Sequence, residues 1–143
     1  MMTPILLATA LFVASPLDDF DKALFDTWRV ARATREGEEA KDVLGHTLRL
    51  DGDGFEIKAG DLLLFKGTLE VQKAGESTWR VDVKHTYGDL KGKTWLGVMR
   101  LRTDGVLEVC DNAVDPEKPR PEKLESPPGS GTILLEFERA KKP

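Results

Sequence analysis

The amino-acid sequence predicts an all-β protein, an eight-stranded antiparallel barrel preceded by a short N-terminal helix. Three observations support this fold class. Apolar and polar residues alternate with a period of two in eight short segments, turn-forming Gly, Asp and Pro residues separate these segments, and no long helical pattern lies between them. Strands joined in this way form an antiparallel meander, and closing the meander into a barrel removes its exposed edges.

The first residues contain an apolar run, Ile5 to Ala14, that ends at Ser15-Pro16. A spanning helix needs about 20 apolar residues, whereas this run has the length of a signal-peptide core. No Lys or Arg precedes the run, so a buried N-terminal helix is the alternative. We therefore predict a signal peptide at residues 1–15 and a single barrel domain at residues 16–143, which is the usual size of one domain.

The segment 17–25 predicts one short amphipathic helix ahead of the first strand. Leu17, Phe20 and Leu24 recur at helical spacing, and three aspartates among these residues favour the positive end of the helix dipole. A helix at this position can plug one end of a barrel.

The first three strands are predicted at residues 27–34, 46–51 and 54–59. The sequence Asp51-Gly52-Asp53-Gly54 joins the second and third strands, and its Asp-Gly pairs supply the positive φ angles of a tight hairpin. The inward-facing apolar residues of the three strands are Trp28, Val30, Leu48, Leu50, Phe55 and Ile57.

The other five strands are predicted at residues 62–72, 78–87, 94–103, 106–110 and 132–139. The segment 111–131 is rich in Pro, Glu, Lys and Ser, and we expect this long irregular connection on the surface. Strands 27–34 and 132–139 are expected to pair and close the sheet.

Charge and cysteine content exclude several classes of protein. Twenty-one Lys and Arg against 25 Asp and Glu give a net charge of −4, which disfavours binding to nucleic acid phosphates. Cys110 is the only cysteine, so it cannot form an intramolecular disulfide or, with two histidines, a thiolate zinc site. We expect a small buried side chain at Cys110, and no cofactor, metal site or nucleic-acid partner.

No motif of catalysis is found. Gly92-Lys93-Thr94 resembles the end of a phosphate-binding loop, but Tyr87 stands where that loop needs a glycine, so we interpret the segment as a hairpin connection. Neither His46 nor His85 has a nucleophile motif such as Gly-x-Ser-x-Gly beside it. We therefore predict no catalytic residue and do not expect an enzyme.

Two residues are predicted to stabilise the barrel. Trp28 lies on the first strand just after the helix, where it can fill the closed end of the interior. Arg139 lies at the end of the last strand and is expected to stack on the Trp28 ring by a cation–π interaction.

Candidate ligand-binding residues lie on two neighbouring strands, towards the end opposite Trp28. Gly97 leaves space, Met99 can adapt its shape, and His85 can offer the polar contact that orients an apolar ligand. The alternative role of Gly97 is to relieve crowding against Trp79 or to bend the strand at a barrel corner. The candidate set is Val81, Val83, His85, Trp95, Gly97 and Met99.

Short motifs occur in order along residues 24–139: Phe25-Asp26-Thr27-Trp28-Arg29-Val30, Leu48-Arg49-Leu50-Asp51-Gly52-Asp53-Gly54-Phe55, Gly67-Thr68-Leu69, Val81-Asp82-Val83, Gly92-Lys93-Thr94-Trp95-Leu96-Gly97-Val98, Asp104-Gly105-Val106-Leu107-Glu108-Val109-Cys110, Arg120-Pro121 and Gly129-Ser130-Gly131. In order and spacing they resemble the small uncharacterised lipocalin-like domains that are abundant in planctomycetes. The resemblance implies an eight-stranded lipocalin-like barrel, often exported, with no established activity. Asp26, Met99 and Leu124 depart from the glycine, tyrosine and phenylalanine common in that family.

Two functions follow as hypotheses. The first is an exported lipocalin-like domain that binds a small apolar ligand or a lipid, secreted or retained in the periplasm or cell envelope, with no integral membrane span. The second is a ligand-free structural or protein-interaction module of the cell envelope. A cavity of a few hundred Å³ favours the first and a filled interior the second. The large inward residues that could fill the barrel are Trp28, Phe55, Trp79, Trp95, Met99 and Phe137.

Overall fold

The computed structural model describes residues 22–141, which form one antiparallel sheet of nine strands. The strands are β1 Asp26–Arg35, β2 Glu38–Glu39, β3 Thr47–Asp51, β4 Gly54–Ala59, β5 Leu62–Gly75, β6 Thr78–His85, β7 Thr94–Leu101, β8 Leu107–Asp111 and β9 Ile133–Arg139. Each strand from β3 to β8 pairs with the next, and β1 pairs with β2, β3 and β9. The eight strands other than β2 thus close into a barrel, as the sequence predicts.

The closure of the barrel is the pairing of its first and last long strands. Trp28 on β1 lies opposite Arg139 on β9 at one end, and Arg35 lies opposite Ile133 at the other. A register shift between Val30 and Arg32 bends β1 along this seam. The predicted pairing of the first and last strands is confirmed.

Alternating burial along the strands places one continuous apolar core inside the barrel. In β6 every second residue is buried from Trp79 to His85, and in β7 from Trp95 to Met99. The predicted large inward residues are all buried: Trp28, Phe55, Trp79, Trp95, Met99 and Phe137.

A short helical segment covers the end of the barrel at which Trp28 lies. Residues 22–24 are helical, and the side chain of Leu24 is buried against the core. The Trp28 Nε1 group donates a hydrogen bond of 3.1 Å to the Leu24 carbonyl oxygen, which satisfies the indole N–H in an otherwise apolar site. Residues 17–21 of the predicted helix and the predicted signal peptide at 1–15 lie outside the described residues.

Turn geometry shifts several strand boundaries from the predicted ones. β6 ends at His85, before the predicted end at Tyr87, because the chain turns into a 3-10 helix at Gly88–Leu90. Gly88 begins this helix with a φ of 69°. β7 ends at Leu101 because the Arg102 N–H turns to the Val106 carbonyl at 2.9 Å. β2 is not predicted, since a two-residue strand has no alternation to detect.

The connection between β8 and β9, residues 112–132, lies against the outer wall of the barrel. Arg120 fixes it there, because its Nη1 group donates hydrogen bonds of 2.9 Å to the backbone oxygens of both Val81 and Gly97. Its Nη2 group also lies 2.6 Å from Asp82 Oδ1. One guanidinium thus binds the connection to β6 and β7 together.

The connection lies on the surface of the barrel, as the sequence predicts, but several of its residues are buried. Asn112 is fully buried, accepts a hydrogen bond of 2.8 Å from the Leu96 N–H, and donates one of 2.7 Å to the Lys118 oxygen. Cys110 is buried beneath it, as expected, and burial raises the pKa of its thiol to about 11. The connection therefore belongs to the packed structure.

Candidate ligand-binding cavity

The barrel interior contains a cavity of about 360 Å³. It lies towards the end away from the Arg139 and Trp28 pair, since both Arg35 and Ile133, which pair at the opposite end of the β1–β9 seam, line it. Its wall is mostly apolar and includes Val30, Ile57, Phe65, Trp95, Leu135 and Phe137.

Two connecting segments form the rim of the cavity. Val43 comes from a 3-10 helix, Lys41–Val43, between β2 and β3, and Ala113 and Val114 come from the start of the β8–β9 connection. Val114 is 40% exposed, although valine is usually buried. The cavity therefore has an apolar rim built from connections, while the strands supply its floor and wall.

Few polar side chains line the cavity: Arg35, His46, Thr47 and Asp111. Arg35 is already neutralised, because its two terminal nitrogens bind the two carboxylate oxygens of Asp42 at 3.0 and 2.9 Å. The hydrogen bonds from Arg35 lower the pKa of Asp42. Arg35 therefore brings no unpaired positive charge to the cavity.

Asp111 is different, because its carboxyl group is buried and has no cationic partner. The residue is 6% exposed, and its Oδ1 accepts a hydrogen bond of 3.0 Å from the Ala113 N–H. Among residues 22–141 no Lys, Arg or His nitrogen forms an ion pair with it. Burial raises the pKa of Asp111 to about 7, which places its titration in the physiological range.

His85 lies within the aromatic core and does not line the cavity. Its ring centroid is 4.1 Å from that of Trp95, 5.7 Å from Phe55 and 5.8 Å from Phe65. Neither ring nitrogen has a hydrogen-bond partner among the described residues, and burial lowers the pKa of the imidazole. The ring packs against two residues of the cavity wall, Phe65 and Trp95, rather than meeting a ligand directly.

The six predicted binding residues lie together on β6 and β7, but of these Trp95 alone lines the cavity. Cross-strand pairing sets Val81 opposite Gly97 and Val83 opposite Trp95. Val81, Val83 and Met99 are buried in the core and do not line the cavity. The space lies nearer β1, β4, β5 and β9.

Gly97 lies where β7 and β8 approach closely, and it does not line the cavity. A Cβ atom at this position would lie 2.7 Å from the Cys110 oxygen and 2.8 Å from the Asp111 Cβ. Gly97 therefore permits β8 to approach β7 closely. The close approach occurs at the pair Gly97 and Asp111, so it also sets the position of the buried carboxyl.

Sequence reasoning missed Asp111 because the predicted strand ended one residue before it. Leu107, Val109 and Asp111 share one parity on β8, so an ionisable residue at an inward position was the signal available. Val30, Ile57 and Phe137 were placed inside but not recognised as lining a space, and Phe65 on β5 was not identified.

No family model matches the chain, and no curated protein or solved structure matches it significantly. The search of the described residues for membrane-crossing helices found no helix of sufficient length and hydrophobicity.

Proposed function

We propose that this protein is a lipocalin-like binding protein that holds a small, mostly apolar molecule inside its barrel and catalyses no reaction. The observation that carries this proposal is the apolar cavity of about 360 Å³ in the barrel interior. Small-molecule sites have volumes of about 300 to 1,000 Å³ and combine apolar walls with a few polar groups. This cavity has both properties.

The large inward residues do not fill the barrel, which favours the binding hypothesis over the ligand-free module. Trp28, Trp79 and Met99 are buried in the core and do not line the cavity, while Phe65, Trp95 and Phe137 stand around the remaining space. An unfilled apolar space of this size costs stability, because its lining atoms lack packing contacts. The apolar run at residues 5–14 has the length of a signal-peptide core and supports export of such a binding protein.

A groove on the outer wall supports the alternative function, a protein-interaction module. It has a volume of about 940 Å³ and lies between residues 119–124 and the outer face of β5, β6 and β7. Lys73, Arg80, Arg100 and Lys123 contribute to its walls, which makes the groove more polar than the interior cavity. A partner for this surface would present acidic groups.

Filling the cavity tests the proposed function. The variant is Leu135→Trp, which adds volume to the cavity wall, and the matched control is Leu134→Trp, the same change at a half-buried neighbour that does not line the cavity. N-phenyl-1-naphthylamine, an apolar dye that fluoresces in apolar surroundings, is titrated into each protein. Gly97→Leu is unsuitable as the filling variant because it would displace β8.

The proposal expects saturable dye uptake by the wild type and by Leu134→Trp, with affinity reduced by about tenfold or more in Leu135→Trp, equivalent to about 1.4 kcal/mol. Far-UV circular dichroism checks that each variant keeps its β structure. Absence of saturable uptake by the wild type, or equal uptake by both variants, would reject the interior cavity as a binding site.

A further inference from the structure

The buried position of the Asp111 carboxyl group is unfavourable to the free energy of folding. A carboxyl group in an apolar interior loses its hydration, and an ionised one needs a partner of opposite charge to offset that loss. The Ala113 N–H, at 3.0 Å from Oδ1, supplies one neutral donor. The other carboxylate oxygen accepts no hydrogen bond from the described residues, although the residue lines the cavity.

The structure holds this carboxyl group firmly at the cavity wall. Asp111 is the last residue of β8, where it pairs with Gly97 on one side and Ile133 on the other. The absence of a side chain at Gly97 lets the two strands approach closely, and Asn112, the next residue, is fixed by its hydrogen bonds to Leu96 and Lys118. A group anchored on both sides is preorganised to meet a ligand.

We propose that the cavity binds an apolar molecule that bears a protonated amine, with Asp111 as the counter-ion of that amine. This inference rests on the proposed function and names the class of ligand. The free carboxylate oxygen accepts the ammonium N–H in a charge-assisted hydrogen bond, which is stronger than a neutral one. The apolar part of the ligand lies against Ile57, Leu135 and the neighbouring wall.

The other charges around the cavity agree with a cationic ligand. Arg35 is the permanent cation of the lining, and its bidentate contact with Asp42 leaves it no unpaired charge to attract an anionic ligand. Phe65, Trp95 and Phe137 are aromatic rings of the wall, and ring faces attract ammonium groups. An anionic ligand would instead meet the buried carboxylate of Asp111 in a medium of low dielectric constant, where repulsion is strong.

The pH dependence of binding follows from the groups that face the cavity. Burial raises the pKa of Asp111 to about 7, so the fraction of ionised Asp111 increases between pH 5.5 and pH 8.5. From the other elements, Arg35 of β1 and His46 before β3 face the cavity, Asp42 binds Arg35, and His85 of β6 packs behind Trp95. Because His46 also lines the cavity, His46→Asn serves as the control for a contribution from that residue.

Three probes with one apolar skeleton test the inference: 4-phenylbutylamine, 4-phenylbutan-1-ol and 4-phenylbutanoate. Calorimetric titration at pH 8 measures their dissociation constants for the wild type, for Asp111→Asn and for His46→Asn. Asn keeps the acceptor for the Ala113 N–H and removes the charge, so the fold is expected to survive. Circular dichroism and thermal unfolding monitor this.

The expected order for the wild type is amine, then alcohol, then carboxylate, with the amine bound about tenfold more tightly than the alcohol. This preference should decrease at pH 5.5, disappear in Asp111→Asn and persist in His46→Asn, while the alcohol binds all three proteins within about twofold. Equal binding of amine and alcohol, or tighter binding of the carboxylate, would overturn the amine inference and leave the proposed function standing. Failure of all three probes to bind would reject both.

Discussion

The guanidinium of Arg139 lies over the indole of Trp28, with Cζ 4.4 Å from the ring centroid. The two residues face each other across the β1–β9 seam. Arg139 also binds Asp26 Oδ2 and the Ala23 carbonyl, both at 2.8 Å, so it joins the last strand to the segment that leads into the first. This contact caps the Trp28 end of the barrel and confirms the predicted stacking.

A double-mutant cycle measures the contact between Arg139 and Trp28. Trp28→Leu is expected to lower the free energy of unfolding by about 3 kcal/mol because it leaves a cavity and removes the indole hydrogen bond. Arg139→Ala is expected to cost about 1 kcal/mol, since the side chain is 46% exposed and solvent screens its charge. Urea unfolding should give a coupling energy of about 0.5 to 1 kcal/mol. Strict additivity would mean that the stacking contributes nothing.

Asp111→Asn is expected to stabilise the protein at alkaline pH. The pKa of Asp111 rises from 3.8 to about 7 on folding, so the native state holds a proton that the unfolded chain has lost. The contribution is fully favourable below about pH 4 and is lost as the pH rises to about 7, at a cost of up to about 4 kcal/mol.

Urea unfolding of the wild type and Asp111→Asn gives the free energy of unfolding at each pH. Plotted against pH, the two free energies should separate progressively above pH 4 and run parallel above pH 8. Asp61→Asn, at an exposed position in the β4–β5 turn, is the control and should follow the wild type. Parallel curves for Asp111→Asn and wild type at every pH would show that the carboxyl group is not buried from water.

His85→Leu is expected to increase stability by about 1 to 2 kcal/mol at neutral pH, because it removes two buried nitrogens that lack hydrogen-bond partners. Burial lowers the pKa of His85 below 6.5. As the pH falls through this range, the imidazole therefore binds a proton in the unfolded chain before it does so in the native state. The contribution of His85 to wild-type stability should thus fall as the pH decreases below 6.5, and His85→Leu should lack this component. His46→Leu is the control at the rim. A variant at position 85 less stable than the wild type would contradict the expectation and show that the imidazole stabilises the core through its packing against Trp95 and Phe65.

Gly97→Ala is expected to cost about 3 kcal/mol, since the new methyl group would overlap the Cys110 oxygen and the backbone of β8 must move. The matched control is Gly75→Ala on β5, where a Cβ atom meets only the Thr78 Cβ at 3.8 Å. Thermal unfolding should show a loss for Gly97→Ala and little change for Gly75→Ala. Equal midpoints for the two variants would mean that β7 and β8 separate easily.

Arg120→Gln is expected to loosen the connection between β8 and β9. The variant loses the charged hydrogen bonds to Val81, Gly97 and Asp82, at a cost of about 2 kcal/mol. Hydrogen–deuterium exchange should accelerate across residues 113–131 and stay unchanged in the strands. Lys123→Gln, an exposed charge on the same connection, is the control. Unchanged exchange in Arg120→Gln would show that the buried Asn112 and Ser126 hold the connection without it.

The strand pattern is the part of this protein that local sequence specifies best. Alternation at Trp79, Val81 and Val83 defines an inward face whatever the rest of the chain does, because successive side chains of a strand point to opposite sides. The Gly52-Asp53 turn likewise defines a hairpin, with Asp51 opposite Gly54. The eight long strands were therefore predictable, and so was the pairing of the first with the last.

The candidate site was predictable only in part. Trp95 was identified, whereas His85 was assigned the polar position at the cavity wall, where the structure instead places Asp111. The parity of a residue shows whether it faces inward, but not how far along the barrel axis it lies. That height depends on the stagger between strands, which comes from pairings between residues distant in sequence.

Local sequence was sufficient to predict an all-β chain, the inward face of each long strand and the capping pair of Trp28 and Arg139. Only the folded chain shows that Val81, Val83 and Met99 are packed in the core, that space remains beside β1, β4, β5 and β9, and that Asp111 borders this space. Alternation and turns act through neighbouring residues, so the sequence displays them directly. Cavities and buried charges depend on strand stagger and on the path of residues 112–132 around the wall, and these arise only when distant segments meet.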